Sequence, residues 1–215
     1  MNDHLCSKMD QFNSSLQEII IAGHSLHLYV PDPAAVRTYY KNQSSGLAYW
    51  SQIWPAAVGL CEFIASHTAL IKNKTVIELA AGLGLPSLLA SQYGSTVTMS
   101  DYLPETIELM QQTIAYNGSA NLQCRLLNWN NIPATIKAEV MLLSDVNYDP
   151  SVFDKVFEVI TRFLAEGSTI VLSTPQRLMA KPFIERLLAF KQEQEEIMIE
   201  RNGAQIPVSI LVLRK

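Results

Sequence analysis

The hydrophobic positions of this chain fall into short apolar runs separated by segments with helical spacing. The runs predict strands at 75–78, 96–101, 122–127, 139–145 and 168–173. Between most of them, apolar residues recur every three or four positions and predict helices at 51–67, 104–117, 151–165 and 179–191. Strands and helices that alternate in this way form a mostly parallel sheet with helices on both faces, so the pattern predicts a Rossmann-like α/β fold.

The N-terminal part has a different pattern. Residues 18–22 and 25–30 alternate in hydrophobicity around a two-residue break, which predicts a β-hairpin. The tract 32–46 is polar and aromatic, and this composition predicts a linker or a mobile cover over the main domain. We therefore expect a hairpin and cover segment at 1–46 and the main domain at 47–215.

The C-terminal part also departs from the alternation. Two strand-like runs, 195–200 and 207–213, are joined through the four residues 201–204. A connection this short makes the second strand antiparallel to the first. The sequence thus predicts a sheet of seven strands in which the last one is reversed.

The segment from Thr75 to Ser87 carries the clearest candidate chemistry. Its strand brings Glu78 to the carboxyl edge of the sheet, and Gly82 and Gly84 then let a nucleotide-like ligand approach bare backbone. The next strand ends at Asp101, at the spacing that places a ribose-binding carboxylate beside such a loop. Ser87 stands where the dinucleotide fingerprint has its third glycine or alanine, which disfavours a nicotinamide cofactor.

Composition limits the classes of partner and compartment. A net charge of −4 without a lysine or arginine run disfavours nucleic acid as the substrate. Apolar runs do not approach the ~20 residues of a membrane span, so we expect no membrane association. Three cysteines without close spacing, and two nearby histidines (His24 and His27) without a third ligand, predict a cytoplasmic protein with no disulfide framework and no metal site.

Four blocks of sequence make the chain resemble class I, seven-strand methyltransferases that use S-adenosylmethionine. The closest resemblance is to methyltransferase family 16, which contains many protein-lysine methyltransferases. It extends over residues 45–213 and leaves the hairpin out. The blocks are the aromatic-tryptophan-proline segment 48–55, the motif I segment 76–84, Asn128-Trp129, and 144–148 with the family's Asp-x-x-Tyr signature.

The resemblance implies S-adenosylmethionine as the cofactor and assigns roles to particular residues. In the family's pattern Asp101 binds the ribose hydroxyls, Glu78 lies by the methionine end or its bound water, and Trp129 packs on the adenine. Trp54 packs on the methionine chain or the sulfonium, where a cation–π contact is available. Ala80 replaces the usual first glycine of motif I, and we expect a small backbone shift to accommodate it. The implied cofactor-binding residues are Trp50, Trp54, Glu78, Ala80, Gly82, Gly84, Asp101, Tyr102, Asn128, Trp129 and Ser144.

The same resemblance implies Asp145 and Tyr148 as the catalytic residues. A lysine with a pKa near 10.4 is deprotonated at pH 7 at a cost of about 4.6 kcal/mol. An ionised carboxylate beside the ammonium raises that cost, so Asp145 is expected to bind and orient the acceptor and is not assigned as the base. Tyr148 is expected to shape the pocket and direct the amine lone pair. The proton leaves to water, and the rate comes mainly from alignment.

The resulting hypothesis is an N-methyltransferase that acts on a lysine of a protein. A methyltransferase for a small-molecule amine shares every cofactor residue, and a closed pocket roofed by residues 1–46 would favour it. A third reading is a cofactor-binding or protein-interaction module that has lost turnover. At the level of single residues, Asp101 or Asp145 could instead cap a following helix.

Overall fold

The computed structural model describes residues 11–42 and 49–215. Two sheets and their flanking helices make up this part of the chain. The strands are β1 (Ser15–Ile21), β2 (His24–Val30), β3 (Thr75–Leu79), β4 (Thr96–Asp101), β5 (Leu122–Leu126), β6 (Val140–Ser144), β7 (Thr169–Pro175), β8 (Lys191–Arg201) and β9 (Ala204–Leu213). The α-helices are α1 (Pro33–Asn42), α2 (Pro55–Ser66), α3 (Leu85–Ala90), α4 (Pro104–Asn117), α5 (Phe153–Ala165) and α6 (Lys181–Leu187).

The larger sheet has seven strands in the order β5-β4-β3-β6-β7-β9-β8. Strand β3 pairs in parallel with β4 and β6, and β9 is antiparallel to both of its neighbours. The predicted α/β class and the reversed last strand are confirmed. Because the chain winds in opposite directions from β3 and from β6, a crevice forms above the carboxyl ends of these two strands.

Two hydrophobic clusters cover the two faces of this sheet. Neighbouring residues of a strand point to opposite faces, so Val76 contributes to one cluster and Ile77 to the other. The first cluster includes buried residues of α2, α3 and α4, and the second includes those of α5 and α6. The central strands are buried on both sides, which is why they read as continuous apolar runs.

The predicted N-terminal hairpin is present, with its turn one residue earlier than expected. Ala22 and Gly23 both have positive φ angles of 49° and 81°, a conformation that suits a tight two-residue turn. The hairpin packs on α4, where the backbone N–H of Tyr29 donates to Thr113 Oγ1 at 3.1 Å. Its buried residue Leu28 belongs to the same cluster as the main sheet. The domain division at residue 46 stays a prediction.

The tract predicted to be a linker or a cover is helical over Pro33–Asn42, and the linker interpretation is wrong for these residues. Val36 is fully buried and anchors the helix to the core. The remainder of the tract, 43–46, lies outside the described residues. Val36, Tyr39 and Tyr40 have helical spacing and pack on the core, but the two tyrosines also fit the polar and aromatic composition of a cover segment, which hid the helix.

Other element boundaries differ from the predictions by a few residues. The helix predicted from residue 51 begins at Pro55, where proline's fixed φ suits a first turn. The helix predicted at 179–191 is shorter, and a 3₁₀ turn at Leu188–Phe190 joins it to β8. Strand β8 was underpredicted because it lies at the sheet edge and is exposed from Lys191 to Glu196, so it has no apolar alternation there.

Within the described ranges no helix has the length and apolar character needed to cross a bilayer. The two hairpin histidines have ordinary partners: His24 Nε2 lies 3.0 Å from the Tyr93 hydroxyl, and the His27 ring stacks at a tilt on Tyr116. Across these same ranges, clusters of histidine, cysteine and carboxylate side chains that could hold a metal ion are absent.

Candidate active site

A cavity of about 290 Å³ lies in the crevice above the carboxyl ends of β3, β4 and β6. Its walls come from the loop after β3, the tip of β4, the segment after β6, the turn before α2 and the turn after β7. Eleven of the thirteen predicted site residues line it. They are Trp50, Trp54, Ala80, Gly82, Gly84, Asp101, Tyr102, Trp129, Ser144, Asp145 and Tyr148.

Asp101 is fixed at the tip of β4 by backbone amides. Its Oδ2 accepts a hydrogen bond from Gly82 N at 3.0 Å, and its Oδ1 accepts one from Leu103 N at 3.2 Å. Burial raises the pKa of this carboxyl, and these hydrogen bonds oppose the rise. Each carboxylate oxygen has a further lone pair, so Asp101 can still accept hydrogen bonds from two hydroxyl groups of a ligand.

The loop between β3 and α3 has a strained, compact backbone. Ala80, Gly82 and Gly84 all have positive φ angles, of 53°, 55° and 75°. A Cβ atom on Gly84 would lie 2.8 Å from the Met99 sulfur, so a glycine is needed there for space as well as for conformation. The loop therefore presents backbone to the cavity with little side chain in the way.

We expect Ala80→Gly to change little. The left-handed conformation costs alanine roughly 1 kcal/mol, while glycine loses about 0.4–1 kcal/mol more entropy on folding, so the two effects nearly cancel. Cofactor affinity measured by calorimetry should stay within about threefold, because only one methyl group is removed from the wall. If wild type fails to bind the cofactor and Ala80→Gly binds it, the chain is instead a degenerate module.

Glu78 lies behind the loop and does not line the cavity. It is fully buried, and its Oε2 accepts hydrogen bonds from Ser87 N at 2.9 Å and from Ser87 Oγ at 2.6 Å. Burial raises the pKa of Glu78 to about 8. In this structure Glu78 therefore holds the start of α3 in place, and its predicted role beside the methionine end stays a prediction.

Glu78 should make folding stability depend on pH. The folded protein keeps this proton up to about pH 8, whereas the unfolded chain releases it near pH 4.5, so the unfolding free energy falls as the pH rises between these values. Glu78→Gln keeps the shape and removes the titration. Between roughly pH 5 and pH 8, the unfolding free energy of Glu78→Gln should therefore increase by about 3 kcal/mol relative to that of wild type.

Chemical denaturation at several pH values measures this difference. The exposed Glu158→Gln provides the matched control and should follow the wild-type pH profile. Parallel profiles for Glu78→Gln and wild type would show that the buried carboxyl ionises normally.

Aromatic side chains form another part of the cavity wall. Trp54 donates its indole N–H to the Tyr49 carbonyl oxygen at 2.6 Å, and the Arg201 guanidinium lies 4.9 Å from a Trp54 ring centroid. The rings of Tyr49 and Tyr148 lie 4.9 Å apart. Trp50 is buried. The described part of segment 48–55, which resembles the family's cofactor cap, thus forms a packed aromatic turn at the cavity wall.

Asn128 lies outside the main cavity. It lines a small adjoining recess of about 10 Å³ together with Trp129, which borders both spaces. The Asn128 Oδ1 accepts a hydrogen bond from Asn130 N at 2.9 Å and so caps the short turn that begins at Trp129. The cap helps to position Trp129, and the predicted cofactor-binding role of Asn128 stays a prediction.

Asp145 and Tyr148 lie together in the segment after β6. Asp145 has a positive φ of 54°, and its N–H donates to the Ser173 carbonyl at 2.9 Å. Burial, followed by nearby acidic and phenolic groups, raises the pKa of Tyr148 to about 12, so its hydroxyl stays neutral and can both donate and accept. The sheet therefore places a carboxylate and a phenol at the same cavity as Asp101.

Comparison with known proteins identifies the family. A family profile described as "Lysine methyltransferase" matches residues 38–190 of the chain. This chain belongs to that family. The predicted family, the methyltransferase class and S-adenosylmethionine as the family's cofactor are confirmed by the match.

Curated relatives carry two kinds of name. The human "Histone-arginine methyltransferase METTL23" is 31% identical over 63% of this chain and 75% of its own length. The mouse "EEF1A lysine methyltransferase 3" is 29% identical over 69% of this chain and 66% of its own length. Matches to the rat, mouse and frog METTL23 proteins span only 52–60% of those proteins.

Solved structures confirm the fold and leave the substrate open. The T. Thermophilus 16S rRNA N2 G1207 methyltransferase, in complex with AdoMet and guanosine, has a TM-score of 0.66 at 13% identity and covers 94% of this chain and 50% of its own. A ribosomal protein L11 methylase from Lactobacillus delbrueckii has a TM-score of 0.55 at 18% identity, over 74% of this chain and 77% of its own. One fold thus serves methyltransferases named for RNA and for protein.

The sequence reasoning missed Arg177, which reaches the cavity of this methyltransferase from the turn after β7. Its guanidinium donates to both oxygens of Asp145, with Nη2 at 2.9 Å from Oδ2. The hydrogen bond to Asp145 raises the pKa of Arg177. Ser144 and Ser173 are register partners, so residues that follow β6 and β7 meet at one edge. This register brings Arg177 to Asp145, and a single sequence does not contain it.

Proposed function

We propose that this protein is an S-adenosylmethionine-dependent N-methyltransferase that methylates a lysine of a protein substrate. The observation that carries the proposal is the convergence of Asp101, Asp145 and Tyr148 on one cavity at the point where the strand order reverses. Ligands of open α/β sheets bind at such a point. Family membership then supplies the reaction class.

The residues present fit the cofactor. Asp101 has free lone pairs for two ribose hydroxyls, the glycine-containing loop leaves backbone open, and Trp54 and Trp129 offer aromatic surface. The cavity lies near the lower end of the ~300–1000 Å³ range of ordinary ligand sites. When bound, S-adenosylmethionine supplies a methyl group on a sulfonium.

The chain's own contribution at the acceptor end is orientation. Tyr148 keeps a neutral hydroxyl that can accept from the amine and direct its lone pair. Tyr49 packs against Tyr148 and limits the directions from which an acceptor enters. Aligning the amine with the methyl group makes the transfer effectively intramolecular, which is the main source of rate that this site provides.

A protein acceptor fits the cavity mouth better than a small molecule. None of residues 11–42 lines the cavity, so the described N-terminal part does not roof it. Leu178 is 93% exposed and its neighbour Met179, which does line the cavity, is 47% exposed. An open apolar rim of this kind suits the surface of a folded partner.

Arginine is the second candidate acceptor. Several relatives are named histone-arginine methyltransferases, and the Asp145 carboxylate already holds a guanidinium in a two-bond arrangement. The family description and the elongation-factor relative favour lysine. Analysis of the labelled amino acid separates the two.

We also propose that the acceptor is not a nucleic acid and that the protein acts in the cytoplasm. The net charge of −4 and the absence of a lysine or arginine run support the first statement. The free thiols of Cys61 and Cys124 support a reducing compartment.

Tritium transfer tests the proposal. The protein is incubated with methyl-labelled S-adenosylmethionine and, in separate reactions, with core histones, elongation factor 1A or a whole cell lysate, and the slower Asp145→Asn variant is the control. We expect label in a protein band and methyllysine after hydrolysis. Label confined to the small-molecule fraction would assign a small-amine substrate, and label in RNA would contradict the protein assignment.

A further inference from the structure

The acceptor end of the cavity contains an ion pair that the chain makes with itself. Arg177 donates from both terminal nitrogens to the two oxygens of Asp145, and the Asp145 side chain is only 9% exposed. Two parallel charge-assisted bonds are a strong arrangement for a carboxylate. An approaching ammonium group therefore meets a carboxylate whose charge is already balanced.

The other charged groups near the cavity have different partners and do not neutralise Asp145. Asp101 is held by the backbone amides of Gly82 and Leu103 at the other end of the site. Beyond the wall, Asp149 follows Tyr148, and Arg201 packs on the Trp54 ring. Within the described part of the chain, the titratable or charged side chains that line the cavity are Tyr49, Asp101, Tyr102, Asp145, Tyr148 and Arg177.

We infer that Arg177 is a positioning residue that balances Asp145 and thereby makes the acceptor end select an amine in its uncharged, nucleophilic form. An unpaired carboxylate in the same place would bind the ammonium and stabilise the protonated state, which has no lone pair for attack. The link between this selection and methyl transfer rests on the proposed N-methylation. The selection itself is a property of the site and can be measured without turnover.

The test uses n-butylamine, which has the length and the basicity of a lysine side chain. Its binding to the protein loaded with S-adenosylhomocysteine is followed by NMR between about pH 7.5 and pH 10, across which the uncharged fraction of the amine rises from about 0.1% to about 30%. For wild type we expect affinity to rise with pH. For Arg177→Gln we expect the affinity for n-butylammonium at about pH 7.5 to be at least tenfold above wild type, with the pH dependence flattened or inverted.

Two further variants separate charge from structure. Asp145→Asn combined with Arg177→Gln removes both charges and leaves no buried unpaired ion, so it should fold and bind n-butylammonium as weakly as wild type. Arg186→Gln breaks an arginine–aspartate pair with Asp154 and does not touch the cavity. It should leave the wild-type pH dependence unchanged.

Two results would overturn the inference. One is equal affinity of Arg177→Gln and wild type for n-butylammonium. The other is wild-type affinity for the ammonium more than tenfold above that of the double variant, since this would show that Asp145 is available despite Arg177. If Arg177→Gln does not fold, the comparison with the double variant decides alone. Charge selection in a protein that labels no acceptor would remove the proposed function and leave this inference intact.

Discussion

Replacing Asp101 by alanine should weaken the binding of S-adenosylmethionine and S-adenosylhomocysteine by roughly 10- to 150-fold. The variant removes a charged acceptor from a site that is only 4% exposed, and the loss of such a hydrogen-bonding group costs about 1.5–3 kcal/mol. Isothermal calorimetry of both ligands measures the change. NAD should bind neither protein.

The substitution also leaves the amides of Gly82 and Leu103 without their acceptor, so the fold must be checked by thermal unfolding. Asp154→Ala is the matched control, because the Asp154 side chain is 96% exposed and lies outside the cavity. It should bind both ligands as wild type does. Unchanged affinity in a folded Asp101→Ala protein would remove this carboxylate from the ribose site.

Replacing Asp145 by asparagine should reduce single-turnover methylation by roughly 10- to 100-fold while cofactor affinity stays within a few-fold. Asparagine keeps the shape and removes the charge, so Arg177 is left with an unbalanced positive charge at the acceptor end. The charged contact that orients the acceptor and fixes Arg177 is thereby lost. Rapid-quench kinetics and calorimetry on the same preparation separate the two effects.

Tyr148→Phe should show the milder form of this defect, because it removes one hydroxyl and retains the ring that packs on Tyr49. Asp154→Asn serves as the control for the loss of an aspartate charge in an arginine pair outside the cavity. Full single-turnover activity in both Asp145→Asn and Tyr148→Phe would contradict their assignment to the acceptor site.

The fold could be predicted where burial leaves a strong pattern. The central strands are enclosed on both faces, so β3, β6 and β7 read largely as apolar runs, whereas β4 has only Val97 and Met99 between polar residues. Strand β8 is an edge strand whose first residues are exposed, and its polar start hid four residues of its length. Helix α1 was missed because it offers only Val36, Tyr39 and Tyr40 to the core, and the two tyrosines are only partly buried.

The candidate site was predictable where a residue's position follows from a single strand. Asp101 and Ser144 end strands, so the parallel sheet brings them to one edge. Arg177 follows a strand as well, but its pairing with Asp145 joins residues that are 32 positions apart and depends on the register between β6 and β7. A single sequence does not contain that register.

Glu78 differs from Arg177, because it belongs to a recognisable sequence motif and the structure shows it in a structural role. Its predicted place by the methionine end or its bound water stays a prediction, and in the structure its carboxylate accepts hydrogen bonds from Ser87 behind the loop. Two acids at the ends of adjacent strands thus receive different environments: Asp101 borders the cavity and Glu78 is sealed beneath it. The packing of helix α3 determines that Glu78 is buried while Asp101 borders the cavity.

A crystal structure of the protein with S-adenosylhomocysteine tests the central claim most directly. We expect both ribose hydroxyls within hydrogen-bonding distance of Asp101, and the sulfur directed toward the space between Asp145 and Tyr148. A ribose bound away from Asp101, or a sulfur that faces away from Asp145 and Tyr148, would contradict this account of the site.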